Sequence, residues 1–346
     1  MSELAGPIRW GVLGCGDVVE RKSGPALLQS DRSRIHAVVS SDGTSAETYA
    51  AEHDVPVATG DAERVISDPD VDAVYVATPP DTHRAYTTAA ADAGKPVLVE
   101  KPMARSAVEA ASMIEACDRN DVELLVAYYR RFHPQVQRMR ELLEAGTIGE
   151  PARAFVNYAL LPPADPGWRE NPAVSGGGWF VDATAHRLDL LVSLLGRPSN
   201  VTGAVRGVGE ERTVEDIVSL TIEIDDVVCT VVSDFTDEPV DNFHVYGTAG
   251  SIAAETLDDG EFAYETEGES GVLAFDMPDA VHDGLVRHVE AVLLDGAANR
   301  SSGRDAFQTE ALLDSGVRCA YADAIPVDVW DGDAADIDSY TRLDPS

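Results

Sequence analysis

Asp182, His186 and Asp189 stand at i, i+4 and i+7 within SGGGWFVDATAHRLDLLVSLLG, residues 175–196. That spacing predicts one helical face carrying all three. A carboxylate one turn before an imidazole can orient the ring and stabilise its protonated form. The imidazole can then take a proton from a hydroxyl. In isolation the same residues also fit a solvated charged face with a satisfied histidine. Gly176, Gly177 and Gly178, directly before the helix, tilt the reading toward a ligand because they let the chain pass close to one.

Lys101 is the second chemical candidate. Only Lys22, Lys95 and Lys101 represent lysine among 26 basic residues, so a lysine at the end of the apolar run VLVEKPMA (97–104) calls for a compact ammonium there. Arginine would present a wide fork instead. A fixed cation in a water-poor cleft stabilises an oxygen gaining alkoxide character.

The third candidate is GCGDVV, residues 14–19, which supplies Gly14 and Gly16 of a G-x-G-x-x-G pattern with Val19 in place of the last glycine. It follows an apolar run and opens a helix, so backbone N–H groups of Gly14, Cys15, Gly16, Asp17 and Val18 can receive a pyrophosphate at the helix start. A purely structural turn is the competing reading. The next strand ends in VVSSDG, where Ser40 and Ser41 occupy the position that selects the dinucleotide and Asp42 follows. Two hydroxyls suit the 2′-phosphate of NADP, whereas Asp42 could turn to the ribose of NAD. The reading leans to NADP, with NAD as the alternative.

These groups need a scaffold. Apolar runs at 8–13, 35–40, 55–58, 72–77, 96–100 and 123–127 alternate with helical stretches at 44–53, 61–67, 84–93 and 106–120. Strands alternating with such helices imply βαβ units and a doubly wound parallel sheet in an α/β domain. Ligands of such sheets lie beyond the carboxyl ends of the strands. That rim carries Thr78, Pro79, Pro80 and His83 of ATPPDTH and Glu100, Lys101 and Pro102 of VLVEKP. A helix-capping or helix-lining role for His83 is the stronger of its two readings. After residue 130 the pattern changes. A helix at 134–145 precedes strand-like runs at 152–161, 200–208, 214–224, 227–235, 240–246 and 250–256, with helices at 178–195, 282–294 and 305–321. Residues 1–127 therefore read as a dinucleotide-binding domain. Residues 128–346 read as an α+β domain on a large, mostly antiparallel open-faced sheet.

The composition excludes several partners. Sixty-one acidic residues face 26 basic ones, for a net charge of −35, spread along all 346 residues. No basic stripe compensates, which argues against nucleic acid and anionic membranes. The acidity, with lysine nearly absent, suits a halophile's cytoplasm, where a Debye length of about 3 Å screens self-repulsion; an acidic mesophile is the alternative. Cys15, Cys117, Cys229 and Cys319 lack pair or metal-ligand spacing, so reduced thiols and no metal are expected. The start, MSELAGPIRW, has no apolar leader and no 18-residue apolar run follows, so a cytoplasmic location is expected.

Together, GCGDVV, ATPPDTH, VEKP, YYRRFHP (128–134), GWRENPAVSGGGWFVDATAHRLDLL (167–191) and HVYGTAGSI (244–252) resemble the glucose–fructose oxidoreductase/inositol dehydrogenase/rhizopine catabolism (Gfo/Idh/MocA) family, in its order and over nearly the full length. The resemblance implies NAD(P)-dependent hydride exchange with a sugar or polyol hydroxyl, and a homodimer or homotetramer formed through the open sheet. It assigns Lys101 to the reacting oxygen, His186 to the general base and Asp182 to its support. Arg131, Trp168 and Arg169 match pocket-shaping positions, while Tyr128, Val19 and the SSD turn depart from the common pattern. Two other readings stay open: a non-catalytic NAD(P)-binding sensor of this fold, and a transhydrogenating oxidoreductase that never releases its cofactor.

Overall fold

A computed structural model describes residues 6–161, 167–206, 214–215, 217–236 and 238–321, with side chains through residue 316. The first sheet is built from β1 (Ile8–Leu13), β2 (Ser33–Val39), β3 (Val57–Thr59), β4 (Ala73–Val76), β5 (Val97–Val99) and β6 (Leu124–Val126). All are parallel, in the order β3-β2-β1-β4-β5-β6. The helices α1 (Gly24–Gln29), α2 (Thr44–His53), α3 (Ala62–Ile66), α4 (His83–Asp92) and α5 (Ala107–Arg119) connect them. Every residue of β4, β5 and β6 is buried, which is why these runs are apolar without alternation. The order reverses at β1/β4, opening the crevice where doubly wound sheets take their ligands.

Helix α6 (Pro134–Glu144) leads to β7 (Pro151–Leu160), the short α7 (Pro172–Ser175) and α8 (Ala185–Leu195). The strands β8 (Pro198–Arg206), β9 (Ile217–Ile224), β10 (Val227–Phe235), β11 (Val240–Gly247), β12 (Gly250–Ala254), β13 (Glu261–Thr266) and β14 (Ser270–Ala274) complete a second sheet of eight. Its order is β14-β13-β12-β11-β7-β10-β9-β8, antiparallel throughout except for the β7/β10 pair. Strict alternation of buried and exposed residues along β9 marks a sheet covered on one face only. The uncovered face leaves Phe155, Ile217 and Val228 exposed.

The terminal helices α9 (Asp283–Asp295) and α10 (Gly303–Tyr321) return to the first sheet. Leu285, Val289 and Val292 of α9 join Ile8, Trp10, Tyr75 and Leu125 in one core. A second core runs continuously from Val76, Val99 and Val126 to Val156, Leu220 and Ile222 of the other sheet. Ser301 also exchanges hydrogen bonds with Val126, fixing the chain to β6. Helix α9 therefore packs with the first sheet although it lies after the expected division at 127/128, because its apolar face finds cover against α1 and β1.

Two local departures from the sequence reading have physical causes. The hairpin β13–β14 was not expected, because its two strands are short and their inward residues Phe262 and Leu273 stand among glutamates and small residues. The helix expected over 178–195 begins as a π-helical turn, Phe180–Thr184, before α8. The end of the expected strand at 207–208 and the acidic tail after residue 331 lie outside the described residues.

Candidate active site

Gly14 adopts φ +110°, and a Cβ there would meet the carbonyl oxygen of Ala77 at 2.5 Å, so only glycine fits this crossing between β1 and β4. A Cβ on Gly16 would meet nothing within 4 Å, leaving open space against its backbone. This is a cradle in which a pyrophosphate fits. After Val18 the chain enters a π-helical turn, Val19–Ser23, and Val19 fills the third glycine's position with a fully buried side chain. The close packing falls instead to Gly24, where a Cβ would sit 2.2 Å from the Val19 carbonyl oxygen. Cys15 points inward, toward the Val39 carbonyl, and burial pushes its thiol up to about 11. Asp17 faces out, paired with Arg21.

At the end of β2, Asp42 accepts from the Ser40 hydroxyl at 2.7 Å and from the backbone N–H and hydroxyl of Ser45. Those bonds lower its pKa and anchor the start of α2. Ser40 therefore spends its hydroxyl on Asp42 and not on a ligand. Ser41 is exposed with its hydroxyl outside this network.

Thr78, Pro79 and Pro80 form the β4 rim, but His83 and Glu100 turn inward. His83 is 1% exposed, with Nε2 on the Thr78 carbonyl at 2.7 Å and Nδ1 near the carbonyls of Pro102 and Met103. It pins the two rim loops together instead of meeting a cofactor. Glu100 accepts from the Tyr75 hydroxyl at 2.6 Å and from the Lys101 N–H, and burial raises its carboxyl above the ordinary range. Both side chains are engaged by protein contacts that shape the rim.

The Lys101 ammonium emerges from that rim. Nζ donates to the backbone oxygen and to Oδ1 of Asp182, each at 2.8 Å. An ammonium has three donors, so one remains for a substrate oxygen. Asp182 accepts Arg169 Nε on its other oxygen at 2.5 Å. Burial alone would raise this carboxyl, but Lys101 and Arg169 overcome it and hold Asp182 at about 2. Arg169 is sandwiched between the rings of Trp168 and Trp179, with centroids at 4.5 and 5.3 Å.

His186 is 5% exposed, and its Nδ1 has no hydrogen-bond partner. The ring packs edgewise on Tyr129 and Tyr128, at 4.7 and 6.1 Å. Burial, reinforced by Lys101, Arg130, Arg187 and Lys22, holds its pKa well below the ordinary value. The imidazole is therefore neutral near pH 7 and open to a proton. The expected Asp182–His186 couple is absent: Asp182 serves Lys101 and Arg169. Asp189 also leaves the expected shared face, accepting from Arg131 at 2.5 and 2.8 Å and from Thr309. The π-helical turn shifts the helical phase between Asp182 and Asp189. Arg131, 5% exposed, thereby forms a buried ion pair with Asp189. It borders a cavity of about 760 Å³ between α6, α8 and the start of α10, lined by none of Lys101, Asp182 or His186.

Three supporting residues carried no sequence signal. Glu310 of α10 accepts from the Met103 N–H at 2.7 Å and from the Tyr128 hydroxyl, with burial pushing its carboxyl up to about 8. It anchors the segment after Lys101 from 207 positions away. Glu215 accepts from the Gly178 N–H at 2.7 Å, and further backbone donors at Phe180 and Val181 hold it at the start of the π-helical turn. Lys22, in the turn after the glycine loop, places its ammonium 5.9 Å from the centre of the Tyr129 ring.

Comparison with known proteins accords with this geometry. Residues 8–128 match a family described as "Oxidoreductase family, NAD-binding Rossmann fold", and residues 136–253 match "GFO/IDH/MocA C-terminal domain". Oxidoreductase P35 of Formosa agariphila is 37% identical over 200 residues, covering 56% of this chain and 62% of that one. The 1,5-anhydro-D-fructose reductase of Ensifer adhaerens is 35% identical over 258 residues, 72% of this chain and 76% of its own. D-xylose 1-dehydrogenase (NADP(+)) 2 of Haloferax volcanii is 30% identical over 293 residues, 82% and 87% of the two chains. The crystal structure of aldose-aldose oxidoreductase from Caulobacter crescentus, complexed with glycerol, superposes with a TM-score of 0.85 at 25% identity, covering 93% of this chain and 99% of that one. With its cradle, its Lys101–Asp182–His186 cleft and these relatives, the chain belongs to the Gfo/Idh/MocA family of oxidoreductases with an NAD-binding Rossmann fold.

Proposed function

We propose that this oxidoreductase exchanges a hydride between a nicotinamide dinucleotide, NADP or NAD, and a CH–OH group of a sugar or polyol. The observation that carries it is the convergence of Lys101, Asp182 and a neutral His186 beside the glycine cradle. Named relatives that reduce 1,5-anhydro-D-fructose or oxidise D-xylose support the carbohydrate class. The bound dinucleotide supplies the hydride acceptor or donor. The chain's residues do the rest. Backbone N–H groups from Cys15 to Val18 receive the pyrophosphate, the Gly14 N–H being spent on the Val39 carbonyl. The free donor of Lys101 holds the substrate oxygen, and His186 takes its proton. Asp182, kept ionised, fixes the ammonium, and Arg169 completes that pair next to Trp168. We assign the dinucleotide to the first sheet and the substrate residues Trp168, Arg169, Asp182 and His186 to the second unit. The Haloferax relative and the net charge of −35 support a salt-rich cytoplasm as the working environment.

Lys101→Ala should abolish turnover yet leave dinucleotide affinity nearly intact. His186→Ala should lower the rate by about 10²–10⁴-fold. Sugars, polyols and anhydrosugars are assayed with NAD⁺ and NADP⁺ in multimolar KCl, alongside fluorescence titration of the dinucleotide. Equal loss of binding and turnover in the Lys101 variant would sink the assigned role.

We also propose a homo-oligomer built on the uncovered face of the eight-stranded sheet, where Phe155, Ile217 and Val228 are exposed on neighbouring strands. Val228→Asp should lower the mass measured by light scattering in KCl. An unchanged mass in the folded variant would place the interface elsewhere.

A further inference from the structure

Two of the three lysines in this acidic chain enter the same cleft, and only Lys101 has a partner there. Among the described residues, the Lys22 ammonium has no hydrogen-bond or ion-pair partner; it faces the ring of Tyr129, 5.9 Å away. The other cations whose charges bear on His186, and the Arg169 beside them, are matched. Arg130 pairs with Asp258, Arg187 with Asp241, and Lys101 and Arg169 share Asp182. Lys22 is the unmatched charge.

The Tyr129 ring also gathers three histidines, with centroids at 4.7 Å for His186, 4.5 Å for His282 and 5.3 Å for His133. His282 is 1% exposed and its Nδ1 has no partner, as is true of His133 and His186. The Lys22 ammonium thus faces the ring on which His186 and His282 also pack, and its charge bears on both imidazoles. An ammonium without a counter-ion, beside buried unpartnered imidazoles, leaves a site whose charge an anion would complete.

Building on the hydride-transfer reading, we propose that Lys22 and His282 form a carboxylate subsite across Tyr129 from His186. The substrate class is then an acidic carbohydrate, a uronate or aldonate, in preference to its neutral parent. The dinucleotide pyrophosphate is the other oxyanion that enters this half of the molecule, and it belongs to the open backbone at Gly16.

The test titrates D-glucuronate and D-galacturonate, and then D-glucose and D-galactose, into the protein–NADP⁺ complex by calorimetry. The wild type, Lys22→Gln and Lys22→Arg are compared in KCl. The wild type should bind an acid about 10- to 100-fold more tightly than its neutral parent, the range of one charge-assisted hydrogen bond. Lys22→Gln should erase that ratio with NADP⁺ affinity unchanged, and Lys22→Arg should restore most of it. An unchanged ratio in Lys22→Gln overturns the subsite. So does a fall in NADP⁺ affinity by the same factor, which would put the ammonium on the dinucleotide. A wild type that oxidises neutral sugars without preferring acids overturns the subsite alone; one that binds NADP⁺ but no carbohydrate overturns the hydride-transfer reading as well.

Discussion

Asp42 has the residue type that commonly accepts from the ribose of NAD, but its surroundings alter what it can do. Ser40 and Ser45 occupy its oxygens and tie it to the start of α2. Its charge still opposes a 2′-phosphate. Asp42→Ala should therefore tighten NADP⁺ by about 3- to 30-fold and release the Ser40 hydroxyl, while NAD⁺ affinity stays level or falls. Competitive fluorescence titration of both dinucleotides reads the ratio, and a gain for NAD⁺ would contradict the assignment. Lys101, Asp182 and His186 were legible at this scale because of their residue types. Their partnership was not, since the i, i+4 spacing pointed Asp182 at His186 and the structure turns it toward Lys101 and Arg169.

At the scale of elements, the π-helical turn Phe180–Thr184 decides which groups share the cleft. A regular helix would have put Asp182 and Asp189 on one face; the wider turn sends Asp189 to Arg131 and keeps Asp182 on the rim. Glu215 secures that turn by accepting the Gly178 N–H from inside the protein, with one carboxylate oxygen left unpartnered. Glu215→Ala should cost about 1–3 kcal/mol by orphaning buried N–H groups. It should also lower kcat more than it raises KM, because Asp182 and His186 sit just beyond. Denaturant melts and steady-state kinetics check both, and a variant with wild-type stability would show that the anchoring is dispensable. The alternating apolar strands β9 and β10 were readable from their period of two. The hairpin β13–β14 was not, because its strands are short and only Phe262, Tyr264 and Leu273 supply apolar bulk to the inward face.

Across the whole molecule, buried titratable groups set opposing limits on stability. Burial lowers His133 and His288 to about 4 and His282 to about 3, from an ordinary value of 6.5. The unfolded chain then binds more protons than the native one, so stability is full above about pH 6.5 and is lost as pH falls toward 4 and 3. Each histidine contributes a slope of up to about 1.4 kcal/mol per pH unit. Glu310 acts in the other direction. Its folded value, raised from 4.5 to about 8, gives stability present below 4.5 and lost as pH rises through 8. Melting temperatures in KCl should therefore fall steeply below pH 6.5, and Glu310→Gln should flatten the decline between pH 4.5 and 8. An unaltered alkaline slope in that variant would show that Glu310 is ionised in the native state.

The sequence by itself determined the parallel sheet, the glycine turn and the candidate groups Lys101, Asp182 and His186. Each follows from local rules: continuous apolar runs, a backbone conformation only glycine adopts, and a lysine kept where lysine is otherwise rare. Tertiary structure alone decided the pairings. Arg131 went to Asp189, Glu100 to Tyr75, Glu310 to Met103, and Lys22 to the ring beside His186. A hydrogen bond across 207 positions, like the return of α9 to β1, depends on which surfaces bury one another, and no local pattern in the chain carries that information.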